Sequence, residues 1–547
     1  MGRYASDAMA RGVSHVLGAV NPLGPIFGKE LKTTARRKRT YVLRVGYLLL
    51  LLLVLLAVFS TFRGSTHETA ASRQQRLAEM GYAFFSAFGM FCILTLAAIG
   101  PMLTATCISS ERLGKTLPIL LTTPLSTWSI VSGKLSSRLL VAFTLLGLSL
   151  PLLAVVRLLG GVELGQMSAA VALAAATVTF TASVGLVFSS LVTRPYSAVL
   201  LSYAALLLFY LLLPWAVGTM ALDRAGPPPE WAGVLLTTAN PIYAMMTLIE
   251  PRVGAILGGH PWWLCAATHA ALAVVNLILA SLILRNRAHA VETADRDALR
   301  PTPADARPHS EATPRPSSAA PTARSARTFG TNPILRRELS RPIFPRTWQR
   351  RTAVAATIAM LLLTYAMVGP SDLEFASTHR AYAIILHGLL AMSVCVVAGN
   401  AVASEKESDT WNILLATPLT GQQVVWGKAM GLMRRFLWPM LLFTAHFGFF
   451  CLFDAITLGS FLTAVWIIAT FNLPWVATGL WLSTCLRSTT TAALLNLAMP
   501  LALYLLVPML AMLVNDYLLE GRWNPQGWLF LAMPYPYLDA GGCSQPI

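Results

Sequence analysis

Six consecutive leucines, Leu48 to Leu53, lie inside an uncharged apolar run from Val45 to Phe62. A run of this length can cross bilayer hydrocarbon as a helix, for which roughly 17–25 residues suffice. Comparable runs recur almost to the end of the chain. Only 12% of the 547 residues are charged, about half the share found in soluble domains, which excludes an ordinary soluble enzyme. The runs are continuous, whereas a transmembrane β-barrel alternates apolar and polar residues in segments of roughly ten. The pattern predicts an all-α fold, a polytopic transmembrane helical bundle. No short apolar core with a small-residue cleavage site precedes the first run, so no signal peptide is expected.

Eleven spans are predicted: near 41–62, 81–108, 138–159, 167–192, 196–220 and 262–284, then 352–369, 381–403, 436–453, 461–483 and 489–514. Placing the N-terminus inside leaves 33 of the 41 Lys and Arg on the inner side, the asymmetry that retains segments on the cytoplasmic face. The net charge of +17 then reflects juxtamembrane clusters such as Arg36-Arg37-Lys38-Arg39 and Arg336-Arg337. Each such cation contributes about 1 kcal/mol against anionic lipid. Nucleic-acid binding needs a basic folded domain or a stacking platform, and the spans leave no room for either. The seven cysteines are scattered without C-x-x-C or zinc spacing and read as buried thiols.

One unit occurs twice. Residues 111–134 read ERLGKTLPILLTTPLSTWSIVSGK and residues 405–428 read EKESDTWNILLATPLTGQQVVWGK; at a constant offset of 294, eleven of the twenty-four positions are identical. They include Glu111/Glu405, Thr116/Thr410, Leu120-Leu121/Leu414-Leu415, Thr123-Pro124/Thr417-Pro418 and Gly133-Lys134/Gly427-Lys428. Pro25-Ile26 through Glu30-Leu31 also matches Pro333-Ile334 through Glu338-Leu339, and Pro241-Ile242-Tyr243 falls near Pro534-Tyr535-Pro536. Duplication predicts two copies, residues 1–285 with six spans and residues 331–547 with five. A disordered linker over 286–330, holding six prolines, joins them. An even number of spans in the first copy makes the two repeats parallel. At the same offset the last span of the second copy falls beyond Ile547, so either a truncated sequence or an eleven-helix protein is expected.

The duplicated segment predicts a helix–break–helix elbow on the inner face. Leu117, Leu120 and Leu121 have the i, i+3, i+4 spacing of one apolar helical face, as do Trp411, Leu414 and Leu415. Thr123-Pro124 and Thr417-Pro418 break the helix, because proline lacks an N–H and restricts the residue before it. A second short helix is expected from Ser126 or Thr420, the latter forming a capping box with Gln423. The leucines either dip into lipid or form a docking surface, and two matched elbows on one face favour docking.

This segment resembles the intracellular motif of ATP-binding-cassette (ABC) transporter permeases of the type-2 exporter family, roughly E-R-x-x-G-T-L-x-x-L-L-x-T-P followed by G-K. The resemblance implies that each elbow is a coupling helix moved by a separate ATPase subunit. The first would comprise Glu111, Arg112, Thr116, Leu117, Leu120, Leu121, Thr123, Pro124, Gly133 and Lys134. The second would comprise Glu405, Lys406, Thr410, Trp411, Leu414, Leu415, Thr417, Pro418, Gly427 and Lys428. The family's glycine before Thr is displaced to Gly114 in copy one and replaced by Asp409 in copy two, and Trp411 stands where Leu is usual. Segments 21–40 and 332–351 resemble the family's connecting helix, with Asn332 as N-cap and Pro333 at the first helical position. The implied protein is a permease of a bacterial inner membrane with no catalytic residue, metal or cofactor of its own, ATP and Mg being held by the partner.

No Walker A loop is encoded. Gly421 to Gly427-Lys428 has one residue too many, and Ala429 stands where Ser or Thr is needed. Asp223, Glu230, Glu250, Asp454 and Asp516 lie at or beyond the outer ends of spans; the lack of carboxylates near span centres counts against an ion-coupled carrier. His269, His387 and His446 fall within spans and read as helix–helix hydrogen-bonding groups. Neither G-x-S-x-G nor H-E-x-x-H occurs. An ion-coupled secondary carrier and a non-transporting membrane anchor or assembly protein remain the alternatives. The scarcity of polar residues in the spans points to a lipid-like or amphipathic cargo.

Overall fold

The computed structural model describes residues 38–62, 69–114, 116–123, 125–192, 195–214, 229–250, 261–299, 332–340 and 376–503, with isolated positions between 351 and 373 and at 217, 252, 507, 510 and 511. The first copy runs α1 (Lys38–Thr61), α2 (Ala70–Thr104), α3 (Ser109–Leu113), α4 (Leu117–Leu121), α5 (Thr127–Leu159), α6 (Leu164–Leu191), α7 (Pro195–Leu207), α8 (Glu230–Ala239), α9 (Pro241–Ile249) and α10 (Trp262–Leu299). A π turn over Leu208–Leu212 extends α7. The second copy runs α11 (Pro333–Ser340), α12 (Ala376–Gly399), α13 (Ala403–Glu407), α14 (Trp411–Leu415), α15 (Gly421–Leu452), α16 (Leu458–Phe471), α17 (Leu473–Cys485) and α18 (Thr489–Leu501).

Among the described residues, eight helices are long and apolar enough to cross a membrane. Ser197–Leu211 and Thr491–Pro500 are shorter apolar helices at the fifth and eleventh expected spans. The expected span 352–369 lies mostly outside the described residues, as do the segments 21–37 and 341–350. The fold is an all-α polytopic bundle. Its helix boundaries repeat at the offset of the sequence: Ser109 and Ala403, Leu117 and Trp411, Thr127 and Gly421, Leu191 and Cys485, Pro195 and Thr489 begin or end equivalent helices.

Hydrocarbon offers the backbone no water, so helix starts are capped from within the chain. Thr69 accepts from Ser72 N, Ser126 from Ser129 N, Thr420 from Gln423 N and Thr457 from Ser460 N. The Thr420–Gln423 capping box expected from sequence is present.

Four features depart from the expected pattern. The third spans begin at Thr127 and Gly421 rather than near 138 and 436, because no proline or cap follows Ser126 and Thr420 closely; the expected second short helix is the first part of α5 or α15. The fourth span is continuous in copy one as α6 but broken in copy two at Asn472. There Pro474 replaces Phe180 and removes a donor, while Asn472 Nδ2 donates to Ile468 O at 2.8 Å. Helix α10 continues to Leu299 through the start of the expected linker, since residues 286–299 contain neither Gly nor Pro. Finally, the segment 221–261 holds α8 and α9, bent by 103°, with Asn240 at the vertex donating to Tyr210 O at 2.8 Å.

Each copy has its own core, around Phe85, Phe88, Leu96, Leu145 and Leu173 in the first and Phe436, Phe443, Phe447 and Trp475 in the second. The copies meet where α7 packs on α12 and α18, with Ala198 and Val199 against Val396 and Ala493. His269 is satisfied between helices, its Nδ1 donating to Cys265 O and its Nε2 meeting Tyr210 Oη, both at 2.8 Å. His446 bonds Tyr365 Oη in the same manner, and His387 packs on Phe443 and Phe471.

The second and fourth spans approach closely in both copies. A Cβ at Gly185 would stand 2.3 Å from Thr104 Oγ1 and 3.0 Å from Pro101 Cα; at the equivalent Gly479 it would stand 2.6 Å from Ala398 Cβ. Gly185→Leu and Gly479→Leu are each expected to lower stability by about 1–3 kcal/mol through overpacking, read as a lower thermal unfolding midpoint of the detergent-purified chain. Gly147→Ala, inside α5 and with open space at Cβ, should not lower the midpoint and is expected to raise stability by up to about 1 kcal/mol, because alanine favours a helix interior.

Candidate functional site

Each elbow starts where the second span ends and the backbone turns. The N–H groups freed by that turn are captured by one serine hydroxyl from the fourth span. Ser189 Oγ accepts from Ile108 N at 2.9 Å and Ser109 N at 3.1 Å; Ser483 Oγ accepts from Val402 N and Ala403 N, both at 2.7 Å. The following cation ties the elbow to the end of the same span. Arg112 donates to Ser190 O at 2.8 Å and Val192 O at 2.9 Å. Lys406 donates to Ser483 O at 3.4 Å and to Thr484 O. Thr116 N and Thr410 N close the next turn onto Glu111 O and Glu405 O, both at 2.9 Å. Thr123 Oγ1 and Thr417 Oγ1 donate back to Leu120 O and Leu414 O, both at 2.6 Å. Pro124 lies outside the described residues, and Pro418 is exposed.

An ion pair locks each elbow to the third span, its lysine buried in both copies and its glutamate buried in the second but only partly in the first. Lys134 Nζ donates to Glu111 Oε1 at 2.6 Å and Lys428 Nζ to Glu405 Oε1 at 2.9 Å, and both lysines are only 3% exposed. Among the described residues, the copy-two pair belongs to a network. Lys428 Nζ also donates to Ala401 O at 2.8 Å and lies 3.7 Å from Glu338 Oε1. Arg435 holds the other oxygen of Glu338 at 2.5 Å, and Arg337 lies 3.9 Å from Glu405. Two glycines let α11 press this close: a Cβ would meet Ile334 Cγ2 at 2.9 Å from Gly427 and Glu338 Cβ at 2.5 Å from Gly431. Gly133 is likewise buried in α5. Asn332 caps α11 as expected, its Oδ1 accepting from Ile334 N at 3.0 Å.

The apolar face expected to meet a partner turns inward in the first elbow. Leu117 is buried, and with the half-buried Leu120 and Leu121 it packs on Ile130, Ala280 and Leu284. Ile119, 68% exposed, points out instead. In the second elbow no residue of α14 is buried; Ile413 is 68% and Leu415 65% exposed, Leu414 is half-buried, and Trp411 sits beneath Lys406 Nζ, 5.8 Å from its ring centre. Spacing alone selected the leucines. Ile119/Ile413 are also identical between the two copies, so the repeat itself carried the signal.

Asp409 has φ +54°, a left-handed conformation that favours glycine and that Asp tolerates better than most residues. This is where the exporter motif carries its glycine, and the reason lies in that turn.

The sequence profile of the family described as ABC-2 family transporter protein matches residues 25–285 and again residues 345–529. The chain therefore belongs to that family, as a multi-pass membrane component with two permease regions in tandem. No curated protein matches it in sequence.

Lys428→Met is expected to cost about 3–5 kcal/mol, because it leaves Glu405 and Glu338 facing one another out of water. Adding Glu405→Gln should recover about half or more of that loss in a double-mutant cycle on thermal unfolding. Asp409→Gly should raise stability by about 1 kcal/mol through relief of the left-handed strain, measured the same way.

Proposed function

We propose that the chain is the permease of an ATP-driven exporter in a bacterial plasma membrane, with its N-terminus and both elbows cytoplasmic. Separate ATPase subunits, which hold ATP and Mg, dock on the elbows. The copies spanning residues 1–285 and 331–547 line a path at the junction of α7 with α12 and α18, and residues 286–330 connect them. The supporting observation is the repetition of one mechanical part: the serine hook, the Glu–Lys pair with its buried lysine and the outward isoleucine recur in both copies.

In this reading the chain performs no chemistry. Glu111–Lys134 and Glu405–Lys428 make each elbow rigid with α5 or α15. A push on Ile119 or Ile413 therefore tilts a membrane-crossing helix instead of deforming a loop. Arg112 and Lys406 carry the same push to the end of the fourth span. Glu338, Arg337 and Arg435 pass it to α11 in the second copy.

Affinity capture of the full chain in mild detergent, with mass spectrometry of co-purifying subunits, tests this. Wild type should retain a subunit carrying a Walker A loop. Ile119→Asp combined with Ile413→Asp, both at exposed positions, should reduce its recovery by roughly tenfold or more, as loss of an interface anchor does. A well-folded wild-type chain that retains no ATPase would overturn the exporter reading in favour of a carrier or an anchor.

A further inference from the structure

Two histidines meet at the end of the second copy remote from its elbow. His379, near the start of α12, and His446, near the end of α15, are 2% and 4% exposed, and their ring centres lie 5.5 Å apart. Tyr382 stands 4.9 Å and Tyr365 5.6 Å from His446. Phe450 closes on His379 at 4.3 Å and on His446 at 5.2 Å. At the offset of 294, copy one has Phe85, Leu152, Phe88 and Val156 in place of His379, His446, Tyr382 and Phe450. All four pack in its apolar core, so the same corner closes there without an imidazole.

Each histidine has one ring nitrogen in use and one left over. His379 Nε2 donates to Leu373 O at 2.7 Å, which puts the lone pair of the neutral ring on Nδ1. That Nδ1 is buried without a partner. His446 Nδ1 is hydrogen-bonded to Tyr365 Oη, and its Nε2 is buried without a partner as well. Tyr382 Oη donates to Thr364 Oγ1 at 2.9 Å.

The surroundings hold no counter-charge for an imidazolium. Among the described residues neither histidine forms an ion pair. The titratable groups in ring contact with the pair are Tyr365 and Tyr382. Helices α16, α17 and α18, which pack on α12 or α15, carry one titratable residue between them, Cys485, at the elbow end. The ion pairs of α11 lie toward the elbow, and Tyr203 of α7 is bonded to Ala98 O. Asp454, just past α15, is exposed; the side chains of Asp372, Glu374 and Arg380 lie outside the described residues. A proton on His379 Nδ1 would create an N–H with no acceptor and a charge in apolar surroundings, both costly. A proton on His446 would add a like charge one ring away.

We propose that His379 and His446 form a pH-sensitive latch. Neutral, they hold the ends of α12 and α15 and the segment of Tyr365 together; protons taken up from the aqueous face at that end part them. In the closed latch the spare nitrogens have no contact with water, so the parted form is the one that binds protons. The sign follows from linkage: the form that binds more protons gains as pH falls. The closed latch is therefore stable at neutral pH and weakens through the range in which imidazoles charge, about pH 8 to pH 5. This goes beyond the transport reading and holds whether or not an ATPase docks.

Hydrogen–deuterium exchange of the full chain in phosphatidylcholine nanodiscs tests it, read by mass spectrometry at about pH 7.5 and about pH 5 and corrected for the intrinsic pH dependence of amide exchange. In wild type, peptides over 376–387 and 440–453 should exchange about tenfold or more faster at the lower pH, the change that one extra proton in the parted form gives per pH unit. The equivalent peptides of copy one, 82–93 and 146–159, should not change. His379→Phe combined with His446→Leu, the residues that copy one packs at these places, should remove the difference between the two pH values. A second readout needs no variant: in wild type the C2 hydrogens of both imidazoles should exchange in step with the amides around them. Equal amide exchange at both pH values in wild type, a pH response that survives the double substitution, or C2 hydrogens that exchange freely while the amides stay protected would each overturn the latch.

Discussion

A buried lysine paired with a glutamate at the same place in both copies holds the elbow end of this bundle together. Taking the two ions out of water costs several kcal/mol each, and their attraction recovers that cost only with close geometry. At 2.6 Å and 2.9 Å the geometry is close. The consequence is topological. Helices α3, α4, α13 and α14 have five residues each, too few to be stable alone. They form because both ends are fixed, one by the Ser189 or Ser483 hydroxyl and the other by the ion pair. Removing either anchor frees a turn whose own hydrogen bonds cannot hold it.

On this common frame the described residues pack differently around the two elbows. In the first, α10 covers the elbow, and Phe180, Ser183 and Val187 of α6 are buried. In the second, the equivalent Pro474, Ala477 and Trp481 are exposed, and the elbow is held from the other side by α11. There Gly427 and Gly431 remove the side chains that would keep α11 away, so Glu338 can reach Lys428. Among the described residues, apolar packing by α10 is seen on the first elbow and charged contacts from α11 on the second. The shared anchors are those that sequence identity marks.

The long apolar runs made the spans and the all-α class readable, because nothing but a helix satisfies its own backbone in hydrocarbon. The duplication was readable because an ungapped offset is preserved in the helix boundaries themselves. The elbow was readable as a break but not as an orientation. An i, i+3, i+4 leucine face looks the same whether it meets a partner or the protein's own bundle, and only the placement of Ala280 and Leu284 shows that Leu117, Leu120 and Leu121 face inward. Ser189 and Ser483 were invisible for a different reason: a serine among many in a small-residue helix has no local signature, and its role depends on a backbone turn 80 residues away. Glu338 was seen as one half of a repeated motif, yet its partner Arg435 has no counterpart in copy one, where Val141 stands. No repeat comparison could have paired them.

The geometry of the third and fourth spans bears on how a displacement travels. Both third spans run without a loop from elbow to far end, as α5 and α15, so each behaves as a lever about 50 Å long at 1.5 Å per residue. Their interior prolines, where a helix bends most easily, stand at Pro151 and Pro439, which are not equivalent positions. The fourth span is rigid throughout in copy one and hinged at Asn472 in copy two. Under the exporter reading, the same push at Ile119 and Ile413 therefore bends the two copies at different depths. Among the described residues, apolar packing connects the first elbow to α10 and charges connect the second to α11.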